Sequence, residues 1–286
     1  MRTIAHISDL HFGAERADVA EALRVDLQNA APSLVVISGD FTQRARRRQF
    51  IEAAEYVRTL PGPQLVVPGN HDVPLYDVFR RFLAPLTRYR RFISEDVNPV
   101  YDDGELFVAG VNTARSLTWK SGRISLEQIE QLQVRLLRTT ARFKVVVTHH
   151  PFIPPPVAGA DEAKIDLVGR AGCALTALDA GGVDLLLSGH LHHSYAGDTR
   201  TQYPAAHRAI IAAQAGTAIS HRVRRNDPNG YNLITLNEDC ITIEVRARAD
   251  GCTFRPVAKT RYARHATGWM EEVIERSVPP GGLPAP

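Results

Sequence analysis

Short apolar runs recur along the first two thirds of the chain, at Thr3–Ser8, Leu34–Ser38, Gln64–Val67, Leu106–Val111, Lys144–Thr148 and Asp184–Ser188. Each is bounded by Gly, Pro, Asn or Asp, and continuous Val/Ile/Leu runs of this length suit strands buried on both faces. Between them the spacing predicts helices over Arg16–Ala30, Arg44–Thr59, Val73–Ile93 and Ser125–Arg138. The last opens on Ser125 with Gln128 three residues later, the signature of a capping box. Strand–helix–strand alternation implies a largely parallel sheet with right-handed crossovers.

After residue 194 the pattern changes. Arg208–Gln214, Ala218–Arg224, Tyr231–Asn237, Ile241–Arg248 and Thr253–Thr260 alternate apolar and polar positions, with turn signals at Asn229-Gly230 and Asp250-Gly251. This reads as an antiparallel meander. Its expected role is a second sheet packed on the first, giving a layered α/β sandwich. Trp269–Arg276 reads as a short helix and 277–286 as a loose tail. No repeat or linker divides the chain, so residues 1–276 are expected to form one domain with a β-rich part at 194–262.

The polar residues fall at the ends of these runs. Ser8-Asp9-Leu10-His11 follows the first, Ser38-Gly39-Asp40 the second and Gly69-Asn70-His71-Asp72 the third. Thr148-His149-His150 and Ser188-Gly189-His190-Leu191-His192 follow two later ones. Ligands bind at the carboxyl ends of strands in open α/β sheets, so these distant motifs can converge. Asp, Asn and His without Cys make a mixed oxygen and nitrogen donor set, suited to Zn, Fe or Mn. The set is too large for one tetrahedral ion and sufficient for two that share a carboxylate and clamp a phosphoryl group.

Together these motifs resemble the signature of the calcineurin-like metallophosphoesterases, in the family's order over residues 9–192. The resemblance implies an αββα sandwich of two mixed β-sheets flanked by helices, and two divalent or trivalent ions (Mn, Fe or Zn). It implies Asp9, His11 and His192 on the first ion, Asn70, His149 and His190 on the second, and Asp40 bridging both. His71 would face the phosphate as proton donor or charge stabiliser, oriented by Asp72. His150 and His193 compete with their neighbours for register; His149 is preferred because it comes first after the apolar run. His6 reads as a packed core residue. The Gly-His-Leu-His-His-Ser block and β-rich end are most similar to the bacterial cyclic-nucleotide phosphodiesterase branch, implying a small phosphodiester substrate. A lipid-linked pyrophosphatase acting on UDP-2,3-diacylglucosamine is the alternative, although some of those enzymes carry Arg where His71 stands.

Charge narrows the partners. With 34 basic and 31 acidic side chains the net charge is +3, which argues against dedicated nucleic-acid binding and so against a nuclease. A noncatalytic scaffold is disfavoured because such relatives lose ligands that are kept here. Cys173, Cys240 and Cys252 are scattered, and no signal peptide or long apolar run is apparent, so a cytoplasmic location is expected. Arg44–Arg48 reads as a solvated helix start or an electropositive rim. Arg115, Trp119, Lys120 and Arg123 sit in a loop open to substrate or merely to solvent, and Pro151–Pro156 can wall the cleft. Val73–Ile93 mixes apolar residues with Arg80, Arg81, Arg88, Arg90 and Arg91, and Pro85 should kink it. It reads either as a core-packed helix with a basic outer face or as a peripheral membrane element contacting anionic lipid. The oligomeric state is left open.

Overall fold

The computed structural model describes residues 1–154, 167–204, 206–223, 227–249 and 253–276. The expected tail 277–286, Asp250-Gly251, Arg224 and the prolines 155 and 156 lie outside them. In chain order the elements are β1 (Arg2–Ile7), α1 (Ala17–Ala30), β2 (Leu34–Ile37), α2 (Arg47–Val57), β3 (Gln64–Val66), α3 (Val78–Leu83) and α4 (Thr87–Phe92). Then come β4 (Val100–Asp102), β5 (Leu106–Gly110), α5 (Leu126–Arg138), β6 (Phe143–Val147), α6 (Ala171–Ala180) and β7 (Leu185–Ser188). The chain continues with β8 (Tyr195–Asp198), β9 (Ile211–Gln214), β10 (Gly230–Leu236), β11 (Cys240–Arg248), β12 (Phe254–His265) and β13 (Gly268–Arg276).

Two mixed sheets result. One has the order β13-β12-β11-β10-β1-β2-β3 and the other β4-β5-β6-β7-β9-β8. Ile4, Val36, Leu65 and Ile234 of the first meet Val108, Val145, Leu187 and Ile211 of the second in a shared apolar layer. The outer face of the first sheet carries α1 and α2 on residues such as Ile7, Val35, Leu23 and Phe50. That of the second carries α5 and α6 on Phe107, Val146, Leu132 and Leu178. The four layers are those of an αββα sandwich, and the runs buried on both faces are its parallel strands.

Several expectations are corrected. The meander does not build the second sheet: β10 pairs antiparallel with β1, and β11–β13 extend the first sheet outward. The second sheet grows instead from the parallel strands β5, β6, β7 and β9. Trp269–Arg276 is a strand, because a hairpin at Gly268 (φ +106°) pairs it with β12 and drives Trp269 into the core. There the indole Nε1–H donates to Asp184 at 3.0 Å. Ala218–Arg224 forms no strand over its described residues, and only Ile211–Gln214 of Arg208–Gln214 is extended. The Arg44–Thr59 helix begins at Arg47, since Gln49 Oε1 turns back to accept from the Arg44 and Arg46 amides. Ser125 and Gln128 do form the expected box at the start of α5.

The segment 73–93 departs furthest from its periodicity. It is two short helices of six residues each, α3 and α4, broken around Pro85. Its exposure is inverted: Arg81 is 2% exposed, while Phe79 and Leu83 are 81% and 83% exposed. Val73 at its start and Leu86 and Tyr89 in its second half pack into the core.

Candidate metal centre

The parallel strands of both sheets end at one edge, and the turns leaving β1, β2, β3, β6 and β7 carry the sequence motifs to it. Bending there is costly. Of the eight non-glycine residues with positive φ among the described residues, five are Asp9, His11, Asp40, His190 and His192. L-residues pay in free energy for the left-handed region, and such strain gathers where surrounding structure fixes a functional side chain. Glycine permits the close approach: a Cβ on Gly189 would overlap Ser8 Oγ and the Asp9 carboxylate.

The ligand atoms converge in two overlapping groups. In the first, Asp9 Oδ1 lies 3.4 Å from His11 Nε2 and 3.6 Å from His192 Nε2. In the second, Asn70 Oδ1 lies 3.0 Å from both His149 Nε2 and His190 Nδ1. Asp40 Oδ2 stands between them, 3.7 Å from His11 Nε2 and 3.3 Å from His149 Nε2. Asp9 Oδ1, Asp40 Oδ2 and both His11 ring nitrogens are buried without a hydrogen-bond partner. Orphaned buried polar atoms are expensive, and a cation would satisfy them together. Donors about 2.0–2.2 Å from a common ion would stand about 3.0–3.6 Å apart, close to the separations seen. The donor set therefore fits two metal ions.

Hydrogen bonds behind the ring help set their tautomers. His149 Nδ1–H donates to Ser38 O at 2.8 Å, which leaves Nε2 a lone pair for the centre. Thr217 Oγ1 lies 2.6 Å from His192 Nδ1 and donates to Arg222 O, so it accepts the His192 proton and frees Nε2. His150 lies close enough to His149 and His190 to share an ion, but its Nδ1 and Nε2 are already bonded to Thr113 Oγ1 and Lys120 O, each at 2.7 Å. His193 Nδ1 is bonded to Asp227, and His6 is buried against Ser38 Oγ, a core residue as expected.

Burial opposes charge on Asp40, but His149, His71 and His11 outweigh it and hold the carboxyl well below the usual range. Asp9 is lowered against burial in the same way, chiefly by His192 and His11. Burial lowers His190 to about 3 and His192 to about 4. Only His149 moves the other way, to about 9, where Asp40 and Asp9 overcome its desolvation. One imidazolium is a poor counterion for two buried carboxylates, which again favours metal.

Asp72 is placed differently from expectation. Asp72 does not bond to His71. Its carboxylate accepts from the Phe41, Thr42 and Gly69 amides and from Thr42 Oγ1, stapling the β2 and β3 turns together. His71 is instead held by Gln43 O, 2.9 Å from Nδ1, and by Arg222 Nη1, 3.1 Å from Nε2. A guanidinium can only donate, so Nδ1 carries the proton and Nε2 accepts. Thr217 and Arg222 escaped the sequence reading because Ala218–Arg224 looked like a strand. Their signal was an apolar run, Ile210–Ala213, ending in Gln-Ala-Gly-Thr, one more strand end at the same edge.

A family model described as calcineurin-like phosphoesterase matches residues 2–194, taking in every one of the expected ligands. The chain belongs to this family. Among curated relatives, the glycerophosphodiester phosphodiesterase GpdQ of Enterobacter lignolyticus (strain SCF1) is 26% identical over 165 residues, 53% of this chain and 57% of that one. The chain thus matches just over half of that relative's length. The 3',5'-cyclic adenosine monophosphate phosphodiesterase CpdA of Escherichia coli (strain K12) is 25% identical over 203 residues, 66% of this chain and 69% of that one. Two solved structures share the calcineurin-like phosphoesterase fold seen here, at 13% identity each. PhoD aligns with a TM-score of 0.74 over 99% of this chain and 73% of its own. A purple acid phosphatase from yellow lupin (Lupinus luteus) seeds aligns with 0.66 over 93% and 54%. These two likenesses establish the fold alone.

Proposed function

We propose that the protein is a dinuclear-metal phosphodiesterase acting on small diesters, with cyclic nucleotides and glycerophosphodiesters as the leading substrate classes. The carrying observation is the pair of donor groups that share Asp40 Oδ2 at the strand ends. Asp9, His11 and His192 would hold one ion, Asn70, His149 and His190 the other, and Asp40 would serve both. Bound ions of this kind supply Lewis acidity toward phosphoryl oxygens and acidify water. The chain's own contribution is orientation. Ser38 O and Thr217 Oγ1 fix two imidazoles, and Asp72 locks the turns that carry Asp40 and Asn70. Arg222 sets a permanent positive charge beside His71, where phosphate charge would be met. Burial lowers the His71 pKa and its Nε2 accepts from Arg222, so to serve the leaving oxygen Nε2 would have to part from Arg222 and take up the proton released by the attacking water.

The two curated relatives support a diester over a monoester. A lipid-linked pyrophosphate substrate is a second reading, favoured by one observation: Tyr76, Phe79 and Leu83 are exposed a few residues beyond Asp72. A screen of the Mn-, Fe- and Zn-reconstituted protein against cyclic nucleotides, glycerophosphodiesters, nucleotide-linked lipids and monoesters tests both. Turnover of monoesters alone would overturn the diester reading. A clear preference for the lipid pyrophosphate would reverse the order of the two.

A further inference from the structure

Helix α3 is built inside out. Its arginine at position 81 is buried, donating from Nε to Ser116 O at 2.7 Å, from Nη1 to Pro74 O at 2.9 Å and from Nη2 to Thr118 O at 2.5 Å. Its guanidinium also lies 5.1 Å from the Trp119 ring centroid. One cation thus clamps the loop 116–119 against the helix. The apolar side chains of both pieces turn outward: Tyr76, Val78, Phe79, Phe82 and Leu83 from one, Leu117 and Trp119 from the other. Scattered exposed apolar residues are ordinary, whereas a cluster joined by a buried ionic clamp calls for a covering surface.

Charge selects the cover. Five arginines and a single acid, Asp77, lie between Val73 and Ile93; Arg80, paired with Asp77, and Arg90 and Arg91 of the following helix are exposed. Arg44 stacks over Tyr76 at 5.5 Å, and Lys120 and Arg123 are exposed just after Trp119. A second copy of the chain would set this arginine-rich segment against itself. A surface both apolar and anionic answers both features.

We propose that this face docks on an anionic lipid bilayer. Phe79, Phe82, Leu83, Leu117 and Trp119 enter the headgroup–acyl boundary, where aromatic rings are favoured, and the arginines take the lipid phosphates. The contact is peripheral, since no helix among the described residues is long and apolar enough to cross a membrane. It does not depend on the reading of the metal centre.

Flotation of the full chain with phosphatidylcholine vesicles, with and without phosphatidylglycerol, tests the docking directly. Binding is expected to the anionic vesicles only and to fall with salt. Replacing Phe79, Leu83 and Leu117 together by Ser should weaken it about tenfold or more. Arg80→Gln or Arg91→Gln should each weaken it about fivefold. Thermal unfolding midpoints and far-UV circular dichroism of these variants should match the unaltered protein, reporting that they fold. Failure of the unaltered protein to float with anionic vesicles at low salt would overturn the proposal, as would undiminished flotation of the triple-serine variant. Light scattering that shows a dimer abolished by the same triple change, without vesicle binding, would assign the face to a second copy.

Discussion

The strand-end loops and helix α3 each reverse the usual distribution of polar and apolar residues, in opposite senses. The loops bury Asp9, His11, Asp40, His149 and His192 almost completely, leaving several of their atoms without partners. Helix α3 exposes Phe79 and Leu83 and buries Arg81. In the loops the anomaly is forced from outside: strands on both sides fix the turns, and positive φ at five ligands shows backbone held against its preference. In α3 it is forced from within, by one side chain bonded to three carbonyls. Places where local rules fail are where function is concentrated. The contrast adds that a polar interior asks for an ion, and an apolar exterior asks for a surface.

The largest effect should come from breaking the polar interior at its shared point. Asp40→Ala should lose both ions together and reduce turnover beyond the roughly 10–100-fold typical of residues that only orient ligands. Because Asp40 pairs with His149 and accepts from the His71 amide, its removal should also destabilise the metal-free protein, so metal content is read on the folded fraction. Metal analysis and thermal unfolding with and without chelator would check this; two equivalents of metal retained would refute the bridge. A smaller loss is expected one residue beyond a ligand. His71→Ala should keep its metal and lose about 10²–10⁴ in turnover, most for alkoxide leaving groups. Equal losses for alkyl and nitrophenyl diesters would transfer proton donation away from His71 and leave charge stabilisation, shared with Arg222.

The contrast also explains what was legible in sequence. Asp9, His11, Asp40, Asn70, His149, His190 and His192 could be placed at one edge because strand ends carry their own punctuation, and parallel strands share an edge. Choosing His149 over His150 needed only the end of the apolar run, and the structure supplies the reason in His150's two committed nitrogens. Sheet membership was not legible: alternation shows that β10–β13 are strands but not that β1 offers them an edge. The β13 strand was hidden because Trp269, Val273 and Ile274 suit helix spacing too, and only the hairpin with β12 decides. Arg222 and Thr217 stayed invisible because their roles arise from contacts with His71 and His192, some 150 and 25 residues away. Over 73–93 the spacing predicted one helix where two short ones form, and it left open whether the apolar face turns inward or outward. A pattern gives the face on which apolar residues lie, while the partner that turns that face outward is a loop over 30 residues downstream.

The smallest effects test whether α3 is truly inside out. Arg81→Met removes donors from three carbonyls, and an unsatisfied buried group costs about 1–3 kcal/mol. Loop carbonyls can turn toward water, so the summed loss in urea unfolding should be near the bottom of that scale per group, about 2–4 kcal/mol in all. A methionine of similar length keeps the packing over Trp119 and isolates the loss of hydrogen bonds. Phe79→Ser, two residues earlier, should change stability by no more than about 0.5 kcal/mol, as an exposed position does. Were α3 an ordinary amphipathic helix, the ranking would invert: serine at 79 would cost close to the about 3–5 kcal/mol of a truncated core phenylalanine, and methionine at 81 almost nothing. Equal small losses at both positions would mean that Arg81 does not hold the loop, and the apolar face would then lack the clamp that presents it.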